Sequence, residues 1–308
     1  MIVNNANLQN LRTLYRAEFN KRFKELDADP IWKKLGTVIH SSTASNTYGF
    51  LGTFPQIREW VGERRLGKIK EDAYRIENKL WEATLPVRRV DIEDDNLGLY
   101  RTMAREKADE FARFMNRKLA ELISGGFTTL CFDGQPFFNA SHPVNEKQDG
   151  TGTDRDVSNI IGTGNENGRT WALLNLDSSL KPFIVQQRSQ PEFDEITDVR
   201  NDRVFMLDHW LFGIRYRGSW GYGLWQQAVG SRAALTAANY EAARLRMQTF
   251  RRDGGDPMGI MPTHLVVDPT NEAAARKILC AELIGGGDSN PNFKTAELIV
   301  VPHLHGEG

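Results

Sequence analysis

The sequence predicts an α+β protein with an elongated, flat subunit, and three observations carry the prediction. A helical pattern runs unbroken from Leu97 to Leu122, with no Gly or Pro between Leu99 and Ser124. Residues 48–89 read as a long two-stranded excursion with a charged tip. A strand–helix–strand pattern over 264–301 reads as a small α/β unit.

The elements follow in order. Leu8, Leu11, Leu14, Tyr15, Phe19, Phe23 and Leu26 recur at spacings of three and four, so residues 7–26 are predicted to be a helix. Its other face carries Arg12, Arg16, Lys21, Arg22 and Lys24. Such a face suits a protein partner or a membrane surface, and packing against protein is the expectation. Pro30 ends the region, and residues 36–47 read as extended chain. Tyr74, Ile76, Asn78 and Leu80 alternate with Arg75, Glu77, Lys79 and Trp81, which is strand patterning. A lone two-stranded hairpin is marginal in water, so this excursion needs a surface to lie on.

Leu97, Tyr100, Ala104, Ala108, Phe111, Met115, Leu119 and Leu122 then keep a period near 3.6, and Gly125 and Gly126 stop the helix. Such a helix runs about 40 Å at 1.5 Å per residue. Residues 131–168 are rich in Gly, Asn and Asp and read as a long loop. Strand signals follow at 180–187, 204–207, 210–217 and 223–228, with a turn at 218–221. Thr236 caps a helix over 236–250. Strands are expected at 264–268 and 296–301, with a helix over 271–283 between them.

Composition excludes several classes. The chain of 308 residues carries 39 Lys+Arg against 40 Asp+Glu, a net charge of -1, so it is not a polybasic nucleic-acid binder. With 40% hydrophobic and 26% charged residues it is globular rather than disordered. No apolar run of about 18 residues spans a membrane, and the first residues lack the pattern of a secretory signal. Cys131 and Cys280 are the two cysteines, which suits a reducing compartment. Near neutrality hides an asymmetry: residues 1–90 hold 16 basic and 10 acidic residues, and the rest hold 23 and 30. That reads either as chance or as a basic N-terminal part lying on an acidic surface, such as that of a neighbouring copy.

Candidate chemistry is sparse. His303 and His305 are the best metal candidates, but i,i+2 histidines more often mark a solvated strand end. Asp91, Glu93, Asp94 and Asp95 suit a hard cation, but the start of the helix that follows explains them better. Residues 162–170 glance at a phosphate loop, with the wrong Gly spacing and Arg169 in place of lysine. Gly285, Gly286 and Gly287 with Asp288 read as a flexible loop. Cys131, Asp133 and His142 offer the residue types of a thiol nucleophile, which spacing alone does not support. Between Arg215 and Trp220 basic and aromatic residues alternate as strand faces do.

Several long motifs, FLGTFPQIREWVGER (50–64), RVDIEDDNLGLY (89–100), CFDGQPFFNASHPV (131–144), LKPFIVQQR (180–188), GLWQQAVGS (223–231) and TAELIVVP (295–302), resemble the major head (capsid) subunit of Mu-like phages and prophages. The resemblance covers essentially the whole chain. It implies the Hong Kong 97-type phage capsid fold: an N-terminal arm (1–47), an extended β-hairpin loop (48–89), a peripheral domain (90–225) and an axial α/β domain (226–308). The peripheral domain would hold a spine helix near 97–124 and a loop-rich insertion near 131–168.

The function implied is structural. Copies self-assemble as hexamers and pentamers into an icosahedral head enclosing double-stranded DNA, which they contact weakly. Scaffold, portal and maturation protease proteins are the other implied partners, the virion capsid the implied location, and the bacterial host cytoplasm the place of assembly. No membrane, cofactor, metal or catalytic residue is implied, and no motif supports a crosslink at Lys68, Lys70 or Lys79. Two alternatives are an encapsulin-like shell of the same fold and a thiol hydrolase using Cys131 and His142.

Overall fold

The computed structural model describes residues 5–49, 51, 74–88, 90, 98–148, 150–196, 198 and 201–306. The acidic run 91–95, Lys68, Lys70 and most of the 48–89 excursion therefore lie outside the described residues.

Helix α1 (Asn5–Leu26) lies along the 28-residue helix α3 (Gly98–Gly125). Between them come the single-turn α2 (Ile31–Leu35) and the strands β1 (Gly36–His40), β2 (Ser45–Tyr48), β3 (Tyr74–Glu77) and β4 (Lys79–Arg88). The helical period of α3 buries Ala104, Ala108, Phe111, Met115 and Leu119 on one face. That face meets α1 and the first sheet.

The first sheet has five strands. β1 pairs parallel with β9 (Phe183–Gln187), and β9 and β10 (Glu192–Ile196) share one edge of β11 (His209–Tyr222), with β4 on its other edge. The second sheet has the order β14-β13-β8-β12-β7: β14 (Glu297–Val300), β13 (His264–Val267), β8 (Trp171–Leu174), β12 (Ala228–Ser231) and β7 (Ile160–Ile161). Helices α5 (Ala237–Gln248) and α6 (Glu272–Leu279) pack against it. β13 and β14 pair in parallel across α6, as a strand–helix–strand unit requires. Small antiparallel pairs join β2 to β3 and β5 (His142–Asn145) to β6 (Asp154–Val157). One contiguous apolar cluster runs from Tyr15 in α1 to Leu304 near the C-terminus.

The structure departs from the sequence reading in five places. Residues 204–207, read as strand, belong to helix α4 (Asp202–Leu207), whose first turn carries Asp202 and which ends at Asp208 with φ of 50°. Residues 218–221, read as a turn, lie inside β11. A Cβ at Gly218 would sit 2.7 Å from the Gln186 carbonyl oxygen, and one at Gly221 would sit 2.9 Å from the Tyr74 hydroxyl. These glycines mark close approach of neighbouring strands rather than a bend. Residues 225–227, read as strand, form a 3₁₀ turn before β12. β4 leaves the excursion and pairs along its whole length with β11, so among the described residues only β2 and β3 form a paired base. Finally, 131–168 is not all loop: it supplies β5, β6 and β7, and β7 together with β8 completes the second sheet.

The N-terminal segment is rooted in the body. Phe19 is fully buried, with its ring 5.5 Å from that of Phe193, and the ring of Tyr15 lies 5.6 Å from that of Phe212. β1 is a strand of the first sheet. Ion pairs join α1 to α3, Arg22 with Asp109 at 2.8 Å and Glu18 with Arg101 at 3.4 Å, while Arg16, Lys21 and Lys24 stay exposed.

Candidate functional site

The structure brings together one of the candidate side-chain sets. The chain turns tightly after Leu130: the Cys131 N–H donates to the Gln135 carbonyl at 2.8 Å, and Gly134 takes φ of 78° at the tip. Within this turn Asp133 folds its carboxylate inward. Its Oδ1 accepts the Gln135 N–H at 3.0 Å and the Cys131 thiol at 3.1 Å. Its Oδ2 lies 2.7 Å from Nδ1 of His142, the first residue of β5.

Two residues that the sequence reading did not single out complete the cluster. Nε2 of His142 lies 3.2 Å from Oδ1 of Asn159, and the Trp225 ring stacks on the imidazole at 4.1 Å. Neither had a legible signal, because Asn159 sits in a loop-rich stretch and Trp225 lies 66 residues beyond it.

Electrostatics follow from burial. Desolvation pushes the Cys131 thiol far up, and the charge of Asp133 adds to the push. For Asp133, burial raises the carboxyl, but the hydrogen bond and charge of His142 with the Cys131 and Gln135 contacts outweigh it, and the group sits below the usual range. The thiol-hydrolase reading fails on this geometry. A nucleophilic triad places its base between nucleophile and acid, whereas here the acid stands between thiol and imidazole. The imidazole is fully buried, so no substrate reaches it.

The other candidates are not assembled. His303 and His305 lie in a 3₁₀ turn (Pro302–Gly306), and His305 faces the buried Asp268 at 3.5 Å. Asp268 itself caps the turn that follows it, accepting the N–H groups of Thr270 and Asn271. In the 162–170 loop, Glu166 accepts the Thr163 N–H, so a carboxylate of the chain takes a place that a phosphate would need. Gly285–Gly287 form the tip of a bridge between Leu283 and Ser289. Trp220 packs edge-on to Trp81 at 5.6 Å, a strand-face role rather than a base-stacking one.

Met206 is 79% exposed, and Leu207, Leu245, Leu283 and Ile284 also face solvent. No described helix is long and apolar enough to cross a membrane.

The chain matches the family of the Mu-like prophage major head subunit gpT over residues 8–304. It is 38% identical to the major capsid protein of Escherichia phage Mu over 307 residues, 99% of this chain and 100% of that one. It is 41% identical over 273 residues to the Mu-like prophage FluMu major head subunit of Haemophilus influenzae, covering 86% of this chain and 87% of that one. Its fold is similar to a subunit of the procapsid of bacteriophage JBD30, with a TM-score of 0.84 and 37% identity over 98% of this chain and 100% of that one.

A long helix laid across a five-stranded sheet and a second α/β sheet define, with that likeness, a phage capsid protein of α+β fold. The chain belongs to the Mu-like prophage major head subunit family, and its place is the phage head.

Proposed function

We propose that copies of this chain associate as hexamers and pentamers into an icosahedral head that encloses double-stranded DNA without gripping it. The observation that carries the reading is the family match across residues 8–304. Near-zero net charge supports the second half: a wall with 39 basic and 40 acidic residues neither binds nor repels a polyanion strongly.

In this reading residues 1–47 are the arm, though rooted in the body, and 48–89 are the extended loop reaching a neighbour. Residues 90–225 form the peripheral domain and 226–308 the axial domain, to which β7 and β8 contribute. Assembly takes place in the host cytoplasm with scaffold, portal and maturation protease proteins. The role is geometric, and no residue is assigned to catalysis. Apolar burial between copies drives association, and charge pairs set its register.

The test is to express the full chain alone and together with a candidate scaffold protein. Sedimentation and negative-stain microscopy should show closed shells of megadalton mass holding nucleic acid or nothing. Shells holding a copurifying enzyme would favour the encapsulin-like alternative. Small oligomers under both conditions would sink the shell reading.

A further inference from the structure

The buried Cys131–Asp133–His142 cluster poses a bookkeeping problem. Asn159 has its orientation fixed: its Nδ2 donates to the carbonyls of Phe137, Trp225 and Ala228, and its Oδ1 accepts the Asn139 N–H at 2.8 Å. An acceptor oxygen therefore faces Nε2 of His142, so that nitrogen carries the ring's proton. In a neutral ring the lone pair is then on Nδ1, and it points at Oδ2 of a carboxylate 2.7 Å away. Two acceptors do not sit at that distance unless a positive charge lies between them. The sulfur of Cys131 lies on the other oxygen of the same carboxylate. One ligand atom from each of the three residues, with the others, lies within a 4.8 Å span.

We propose that Cys131, Asp133 and His142 form a binding site for a divalent cation of the zinc class. Thiolate, imidazole and carboxylate are the donor types that such an ion takes. A tetrahedral ion needs its donors about 3.4–3.6 Å apart, so the His142–Asp133 Oδ2 contact would open by roughly 0.7 Å, while the Cys131 sulfur, now on Oδ1, would swing toward the same ion within the 4.8 Å span. The outer contacts are those of a built site. Asn159 fixes the tautomer of the imidazole, the Gln135 N–H orients the carboxylate, and Trp225 holds the plane of the ring. The fourth position is left to water.

Charge balances on loading. The cluster gives up the thiol proton and the proton shared between Nδ1 and Oδ2, and the ion's two charges replace them. Sulfur, nitrogen and oxygen each form a bond to the ion, and nothing is oxidised or reduced. The ion would staple the 131–135 turn to β5, next to the Asn159 and Trp225 contacts that tie β5 to the segments flanking β7 and β12.

The test uses the full-length chain and Co²⁺ or Zn²⁺ as the probe. The expected result is uptake of one ion per chain with release of two protons. A near-ultraviolet thiolate-to-cobalt band should appear, and the zinc absorption edge should show one sulfur neighbour at about 2.3 Å among nitrogen and oxygen. Cys131→Ser should weaken binding at least about tenfold and abolish the band, while Cys280→Ala and His305→Asn leave both intact. If Cys131→Ser fails to fold by circular dichroism, the absorption-edge measurement on the wild-type chain decides alone. No uptake would mean that a proton bridges the pair, and a sulfur-free shell, or binding lost with Cys280→Ala or His305→Asn, would place the ion elsewhere. Any of these overturns the proposal.

Discussion

The first sheet with α3 and the second sheet with α5 and α6 bury their inner faces with different side chains. Against α3 the contacts are aromatic. Trp81, Phe114 and Trp220 pack within 5.6 Å of one another, and Phe111 meets Tyr216 at 5.2 Å. In the second sheet Leu173, Leu174, Val229, Leu265, Val266 and Val267 are all fully buried and aliphatic. The polar tips differ too. Trp171 donates to the Ala233 carbonyl at 2.8 Å and Tyr240 shares a hydrogen bond with Thr295, whereas the Trp210 and Trp220 N–H groups and the Tyr216 hydroxyl are buried without a partner among the described residues. Rings of 150–250 Å² each bring enough apolar area to carry an unmade hydrogen bond. Beside the second sheet the unmade tips belong to amides instead: the side-chain oxygens of Gln226 and Gln227, just ahead of β12, are buried without a partner among the described residues.

The largest effect should come from removing what joins the N-terminus to the aromatic side. Deleting residues 1–47 takes away β1, Tyr15, Phe19, Trp32 and Leu35, all of them part of the body. A soluble body lacking only shell closure is what a detachable arm would leave. The expected outcome here is unfolded, insoluble chain, checked by solubility and circular dichroism. A folded monomer from that truncation would sink the rooted-arm account.

Next in size is the aliphatic core. Leu265→Ala in β13 should cost about 2–5 kcal/mol, because a fully buried leucine leaves a cavity that a tight sheet cannot fill. The urea midpoint measures it, and a loss below about 1 kcal/mol would show that this sheet repacks freely. Gly221→Ala in β11 tests close approach on the aromatic side. Its new methyl meets Ile76 and Tyr74, and such overpacking costs about 1–3 kcal/mol.

How much of this was legible in the sequence depended on how local each signal is. The unbroken 3.6 period gave α3 nearly to its ends, and Thr236 does cap α5, accepting the Asn239 N–H. The strand–helix–strand unit at 264–300 was also local, with each apolar face repeating within a few residues. What failed depended on distant partners. Gly218 and Gly221 look like turn residues until the opposing strands are known. The segment 204–207 is too short for its period to be read. Strand β7 is two residues long and exists only because β12 pairs with it. The cluster was half visible: Cys131, Asp133 and His142 were named by type, but their order in space follows from the 131–135 turn, and Asn159 and Trp225 arrive from other segments. Helix α1 packs into the body by its apolar face, and of its basic residues Arg22 finds an acidic partner on α3, Asp109 of the same chain.

The smallest effect is the sharpest probe of the aromatic side. The Tyr216 hydroxyl is buried without a partner among the described residues, and burial pushes its phenol well above the ordinary value of 10.0. Two consequences have opposite directions. At neutral pH, Tyr216→Phe removes an unsatisfied buried group and should stabilise by about 1 kcal/mol. In alkali the sign follows from proton counting. Above pH of about 10 the unfolded chain loses this proton while the folded chain keeps it, so folded stability is complete below that pH and falls as pH rises. Each such group steepens the fall by up to about 1.4 kcal/mol per pH unit. Tyr222, raised by burial in the same way, donates to the Leu122 carbonyl at 2.9 Å and continues to contribute in the variant. Urea titrations at pH 8 and pH 11 should therefore show the variant gaining more over wild type at the higher pH. An equal gain at both would mean that the Tyr216 hydroxyl reaches water, and the account of orphaned aromatic tips against α3 would fail at its clearest residue.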